Sequence, residues 1–169
     1  MSEMTVREIG EFGLISALRN ALPASTISGS ALQLGIGDDA AVWTPEVGES
    51  VVITTDSLIE DIHFRLDWTD WRSLGHKLLA VNVSDLAAMG SAPKLAVLSL
   101  GLKGSEPVSG LIEMYEGMGA LAARVGVMIA GGPSAVVLPA FIGVYSVATL
   151  RQRSLAILAA AATALLMVL

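Results

Sequence analysis

Residues 71–102 read WRSLGHKLLAVNVSDLAAMGSAPKLAVLSLGL, and a change of period within them sets the fold class. Over residues 71–89 the apolar positions recur at three- and four-residue intervals, which predicts a helix. Leu74, Leu78, Val81, Asp85 and Met89 share one stripe, so the Asp85 carboxylate is expected at the edge of an apolar face. Pro93 breaks the run, and residues 95–102 predict a strand.

Outward from this stretch the same alternation continues. Upstream, residues 51–55 are β-branched throughout and predict a buried strand ending at Asp56. Residues 32–35 predict a short strand, and 23–29 form a Ser/Thr/Gly loop. Thr5-Val6-Arg7-Glu8 has capping-box spacing. Ile9, Phe12, Ile15, Leu18 and Leu22 follow at helical intervals, so residues 5–21 predict an amphipathic helix. Downstream, Val108, Leu111, Ile112, Tyr115, Met118, Ala122 and Val125 predict a second long helix, and residues 127–130 a short strand entering Gly131-Gly132. Helices and strands in this order make an α+β (α/β) domain with helices on one side of a sheet. There is no internal repeat.

The chain has 169 residues, room for one ordinary domain, and a formal net charge of −6. That balance argues against a nucleic-acid surface, which needs clustered Lys and Arg. It leaves room for a nucleotide, because Mg²⁺ brings carboxylates and phosphates together. The absence of cysteine removes disulfides, thiolate catalysis and zinc-thiolate sites, and fits a reducing cytoplasm. The first twenty residues carry Glu3, Glu8 and Glu11, unlike a secretory signal.

Four acidic motifs lie between Gly35 and Pro93. They are Gly35-Ile36-Gly37-Asp38-Asp39, Thr54-Thr55-Asp56, Glu60-Asp61-Ile62-His63-Phe64 and Asn82-Val83-Ser84-Asp85-Leu86-Ala87-Ala88-Met89-Gly90. Carboxylates beside glycines and hydroxyls are hard oxygen ligands, and several together suit Mg²⁺, which keeps waters and bridges to phosphates. Each has a plainer reading alone. Gly-Asp is turn chemistry, Thr-Thr-Asp can close a strand in an Asx-turn, and His63 can simply bond Asp61. Asp85 can pair with Lys77 or Asn82, and Tyr115 can be core. No Gly-x-x-x-x-Gly-Lys-Ser/Thr is present, so a P-loop kinase is excluded.

Taken together these motifs resemble thiamine-monophosphate kinase, of the aminoimidazole-ribonucleotide-synthetase superfamily. The resemblance covers about residues 3–132, the N-terminal half of such an enzyme. It implies a mixed sheet with helices on one side, ATP and Mg²⁺ as cofactors, and transfer of the γ-phosphate of ATP to thiamine monophosphate. It implies Asp39, Thr54, Thr55, Asp56 and Asp85 as metal ligands, and His63 as a contact to thiamine monophosphate. Tyr115, Gly131 and Gly132 would lie against the nucleotide. It also implies a homodimer through N-terminal domains and a cytoplasmic enzyme. A relative such as a hydrogenase-maturation or purine-synthesis protein shares the glycine motifs but lacks Glu-Asp-Ile-His-Phe.

The chain departs from that pattern at Pro133. The family continues Gly-Gly-Asp-Thr, whereas here Gly131-Gly132 is followed by Pro133-Ser134, and proline offers neither carboxylate nor N–H. Residues 1–132 hold all sixteen acidic and eight of the ten basic residues, a formal charge of −8, leaving an apolar tail. Hence the expected division is a nucleotide- and Mg²⁺-binding domain over 1–132 and a divergent tail over 133–169. For the tail, a membrane anchor, a packed segment and a frame-shifted translation are open. The third is the expectation, because the match stops within a motif. It makes the chain an incomplete form of the enzyme, with little turnover expected. Membrane association is not favoured, since residues 155–169 fall short of the roughly 20 that span a bilayer.

Overall fold

The computed structural model describes residues 3–37, 40–131, 135–137 and 141–150. Helix α1 spans Val6–Ala21, α2 Trp71–Ala88 and α3 Val108–Val125; the strands are β1 Leu32–Leu34, β2 Val42–Trp43, β3 Ser50–Ile59, β4 Ala92–Leu102, β5 Met128–Gly131, β6 Ala135–Val137 and β7 Phe141–Leu150.

The main sheet runs β3-β7-β4-β5, with β6 also on β4. β7 is antiparallel to both β3 and β4, while β5 and β6 are parallel to β4, so the sheet is mixed as expected. β5 runs beside Leu95–Val97 and β6 beside Leu100–Leu102, so the two share one edge of β4. β1 and β2 form a separate antiparallel pair.

α2 lies against β3, β7 and β4, and packs on α3. The two helices approach so closely that a Cβ at Gly75 would strike the Met114 carbonyl, and one at Gly117 the Arg72 carbonyl. Leu58, Leu98 and Leu100 from the sheet meet Leu78, Met114 and Met118 from the helices in one core.

Three local expectations change. α1 opens with its capping box, the Glu8 carboxylate accepting from the Thr5 N–H and hydroxyl at 2.8 Å each. It then kinks at Gly10 (φ 71°, ψ 172°), a conformation glycine adopts without strain. The kink resets the helical phase, so Leu14 and Leu18 are buried while Phe12 is 86% exposed. On α2 the buried stripe runs through Leu74, Leu78, Leu79, Asn82, Val83 and Leu86, leaving Asp85 and Met89 outside it. β3 does not end at Asp56 but continues to Ile59, and only one of its faces is covered.

The expected boundary at 132 falls inside the sheet. β7 pairs with β3 along ten residues, from Ser50↔Leu150 to Ile59↔Phe141, and with β4 on its other side. An apolar run does not by itself distinguish a strand from a tail, which is why the sequence alone placed these residues outside the domain. Residues 151–169 lie outside the described residues. Among the described residues no helix is long and apolar enough to cross a membrane.

Candidate metal and phosphate site

β3 alternates its side chains, as any strand does. Thr54, Asp56 and Leu58 are at least half covered, and Val51, Ile53, Thr55, Ser57 and Ile59 form the more exposed set. Thr54 and Asp56 lie on the α2 side. There the Thr54 hydroxyl donates to Asp85 Oδ2 at 3.2 Å, across 31 residues of sequence.

Asp56 and Asp85 are close enough to perturb each other. The Asp56 carboxyl is held above its ordinary value of 3.8, first by burial, then by repulsion from Asp85 and a hydrogen bond shared with it; the nearby His63 pulls the other way. Neither carboxylate makes an ion pair among the described residues. Lys77 and Asn82, the partners that sequence suggested for Asp85, are engaged elsewhere. Lys77 Nζ donates to the His63 carbonyl at 2.6 Å, and Asn82 Nδ2 to the Leu78 carbonyl at 3.1 Å.

His63 sits in a braced turn after β3. Its Nδ1 accepts from the Ile59 N–H at 3.1 Å, so a neutral ring carries its proton on Nε2. It does not bond Asp61. Asp61 takes a left-handed conformation (φ 65°), its N–H donating to the Phe64 carbonyl at 2.8 Å. Glu60 pairs with Lys103, and Arg65 with Asp67 at 2.7 Å while its guanidinium lies 4.5 Å from the centre of the Trp68 ring. Phe64, Leu66, Trp71, Leu102 and Pro107 line an adjacent cavity of about 200 Å³.

The remaining expected residues divide. Thr55 projects from the opposite face to Thr54 and Asp56, so its hydroxyl does not converge with theirs. Tyr115 is 1% exposed, its ring packed in the core, its phenol pushed upward by burial and its hydroxyl without a partner among the described residues. Gly131 closes β5, where a Cβ would sit 2.9 Å from Val97 Cγ1. Gly35 approaches the Ala130 carbonyl, a Cβ there lying 3.7 Å from it, which sets the first glycine motif beside the end of β5. Asp39 and Gly132 lie outside the described residues.

Two carboxylates and a hydroxyl, with no Lys or Arg ion pair among the described residues, are a donor set that fits Mg²⁺. Among the described residues no three acidic or histidine side chains gather at one point. Mg²⁺ does not require that, since one or two carboxylates completed by water and phosphate oxygens are its usual protein ligands.

Residues 37–150 match the family described as AIR synthase related protein, N-terminal domain. The chain belongs to this family. The match runs through β6 and β7, beyond Gly132. The chain is similar to the thiamine-monophosphate kinase of Bacillus subtilis, 39% identical over 122 residues, which cover 72% of this chain and 36% of that protein. It thus spans about a third of that relative's length. The crystal structure of thiamine-monophosphate kinase from Stenotrophomonas maltophilia K279a superposes with a TM-score of 0.69 at 33% identity, over 88% of this chain and 44% of that one. AaThiL complexed with AMPPCP and TMP superposes with a TM-score of 0.58 at 30% identity, over 88% of this chain and 45% of that one.

Proposed function

We propose that this domain binds Mg²⁺ and ATP as part of a thiamine-monophosphate kinase. The observation that carries the reading is the facing pair Asp56 and Asp85, tied to Thr54 across the α2–β3 contact. Support comes from similarity to thiamine-monophosphate kinases and to a structure complexed with AMPPCP and TMP.

Asp56 and Asp85 would hold the metal; Asp39, outside the described residues, is a further ligand only by the family resemblance. Thr54 orients Asp85 by donating to Oδ2. Held there, Mg²⁺ would supply the charge neutralisation that phosphoryl transfer needs. The backbone at Gly131, at the end of β5, would approach the nucleotide, and the family resemblance gives Gly132 the same role. The neutral His63 offers Nε2–H to the phosphate of thiamine monophosphate, and the braced 60–67 turn holds it in place. A phosphate oxygen of that substrate attacks the γ-phosphorus in line, the bond to the β–γ bridging oxygen breaks, and ADP leaves with thiamine diphosphate formed. No side chain serves as nucleophile, so catalysis is positioning and charge neutralisation. Two copies pair through the outer face of β3, where Val51, Ile53 and Ile59 are 48%, 68% and 37% exposed.

Calorimetric titration of ATP with and without Mg²⁺ tests this reading. Binding should require the metal and weaken strongly in Asp85→Asn. Equal affinity without Mg²⁺, or an unchanged Asp85→Asn, would contradict it.

A further inference from the structure

The chain buries two polar atoms beneath α2 that the site above does not use. Asn82 is fully buried and Ser146 is 2% exposed; Asn82 Oδ1 and Ser146 Oγ have no partner among the described residues. A buried polar atom left unpaired costs about 1–3 kcal/mol, so each calls for an explanation.

Their positions follow from the contact already described. Thr54 and Ser146 are direct cross-strand partners in the β3–β7 register, which sets their Cβ atoms roughly 5 Å apart on one face. Asn82 precedes Asp85 by three residues in α2, which sets those side chains on adjoining positions of the helix surface. Thr54 touches Asp85. Asn82 and Ser146 are therefore the inner corners of a four-residue frame whose outer edge is the Thr54–Asp85 bond. α2 lies on β7 as well as β3, so the two inner corners belong to elements packed against each other. Their chemistry is complementary. A serine hydroxyl donates and a carboxamide oxygen accepts; the two make no direct bond, so the hydroxyl reaches its acceptor through one buried water.

We infer that Asn82 and Ser146 are positioning residues, linked by hydrogen bonding across the α2–β7 contact so that Asp85 is held over Thr54 and Asp56. The inference rests on reading Asp85 as a metal ligand. The link fixes the rotation of α2 about its axis. Apolar packing alone sets that rotation less sharply, since Asp85 lies outside the buried stripe.

Mn²⁺ serves as the probe, its free concentration read by electron paramagnetic resonance on the full chain. The dissociation constant should rise about tenfold in Ser146→Ala, the low end of the cost of losing an outer-shell partner. Ser146→Thr, which restores a hydroxyl, should return most of the affinity. Asn82→Ala and the double variant should be equally impaired, because each removes the same link. Wild-type Mn²⁺ affinity in Ser146→Ala, or fully additive effects in the double variant, would overturn the proposal even if both variants lose stability. Asp85→Asn, measured alongside, separates two failures. If it loses Mn²⁺ while Ser146→Ala does not, the positioning role alone falls. If Asp85→Asn binds Mn²⁺ like wild type, the metal reading falls and takes the positioning role with it.

Discussion

The two faces of β3 carry different chemistry on one ten-residue strand. The face under α2 holds Thr54, Asp56 and Leu58, two polar groups aimed at Asp85 and one leucine closing the core. The outer face holds Val51, Ile53, Thr55, Ser57 and Ile59, and is left largely open. Burial explains only part of this. The inner face accepts a carboxylate pair that opposes folding, while the outer face exposes aliphatic side chains that would favour it if covered. On the reading proposed above, the strand carries the metal site on its covered side and the association surface on its open side.

The largest effect should come from the covered side. Leu58 is 6% exposed, and Leu58→Ala should cost about 2–5 kcal/mol of stability in urea unfolding. A loss below 1 kcal/mol would mean that α2 does not seal this face.

Next, Asp85→Asn should raise the apparent Mg²⁺-ATP dissociation constant at least tenfold, or about 1.4 kcal/mol, while making the metal-free chain more stable. That opposition is the mark of a carboxylate kept for ligand binding. Loss of both stability and affinity would point instead to a structural hydrogen bond from Thr54.

A smaller effect should appear in the pH dependence of the metal-free chain. The folded-state pKa of Asp56 is raised above 3.8, so just above that pH the folded chain keeps a proton that the unfolded chain has released. The contribution of this group to stability therefore falls as pH rises through the window, and stays low above it. Asp56→Asn removes the titration, so the variant should gain on wild type in urea midpoint from pH 4 towards neutrality. A pH-independent difference would contradict the coupling.

The smallest effect on the fold should come from the outer face. Ile53→Thr, at a side chain 68% exposed, should change monomer stability by no more than about 0.5 kcal/mol and leave metal binding alone. It should weaken self-association measured by sedimentation. Unchanged association would remove β3 from the dimer contact.

Sequence reading reached the elements whose period is long and regular. α3 has its expected stripe, with Leu111, Tyr115, Met118 and Ala122 buried, and β4 follows α2 as expected, although it starts at Ala92 and takes Pro93 into the strand instead of beginning after it. It missed the phase of α1, because one glycine at positive φ undoes a helical count made across it. It treated Thr54, Thr55 and Asp56 as one ligand group, although period-two alternation already separates Thr55 from its neighbours. It placed the Asp85 carboxylate at the edge of a buried stripe, but not its contact with Thr54, which exists only once α2 is laid across β3. His63 accepting from the Ile59 N–H was equally out of reach, since that bond depends on the left-handed turn at Asp61. For residues 136–150 the sequence left a packed segment open but did not favour it; β7 pairs with β3 and β4, whose residues lie far away in sequence.

The Asp56–Asp85 site predicts where a divalent ion settles. Mn²⁺ added at substoichiometric levels to the ¹⁵N-labelled chain broadens amide signals according to their distance from the bound ion. Broadening should begin at residues 54–57 and 84–86 together, with Lys103 and Glu106 sharp at the same dose. Broadening that begins instead around Glu60, Lys103 and Glu106, or around Glu46 and Glu49, would place the ion on another acidic surface and contradict the Asp56–Asp85 site.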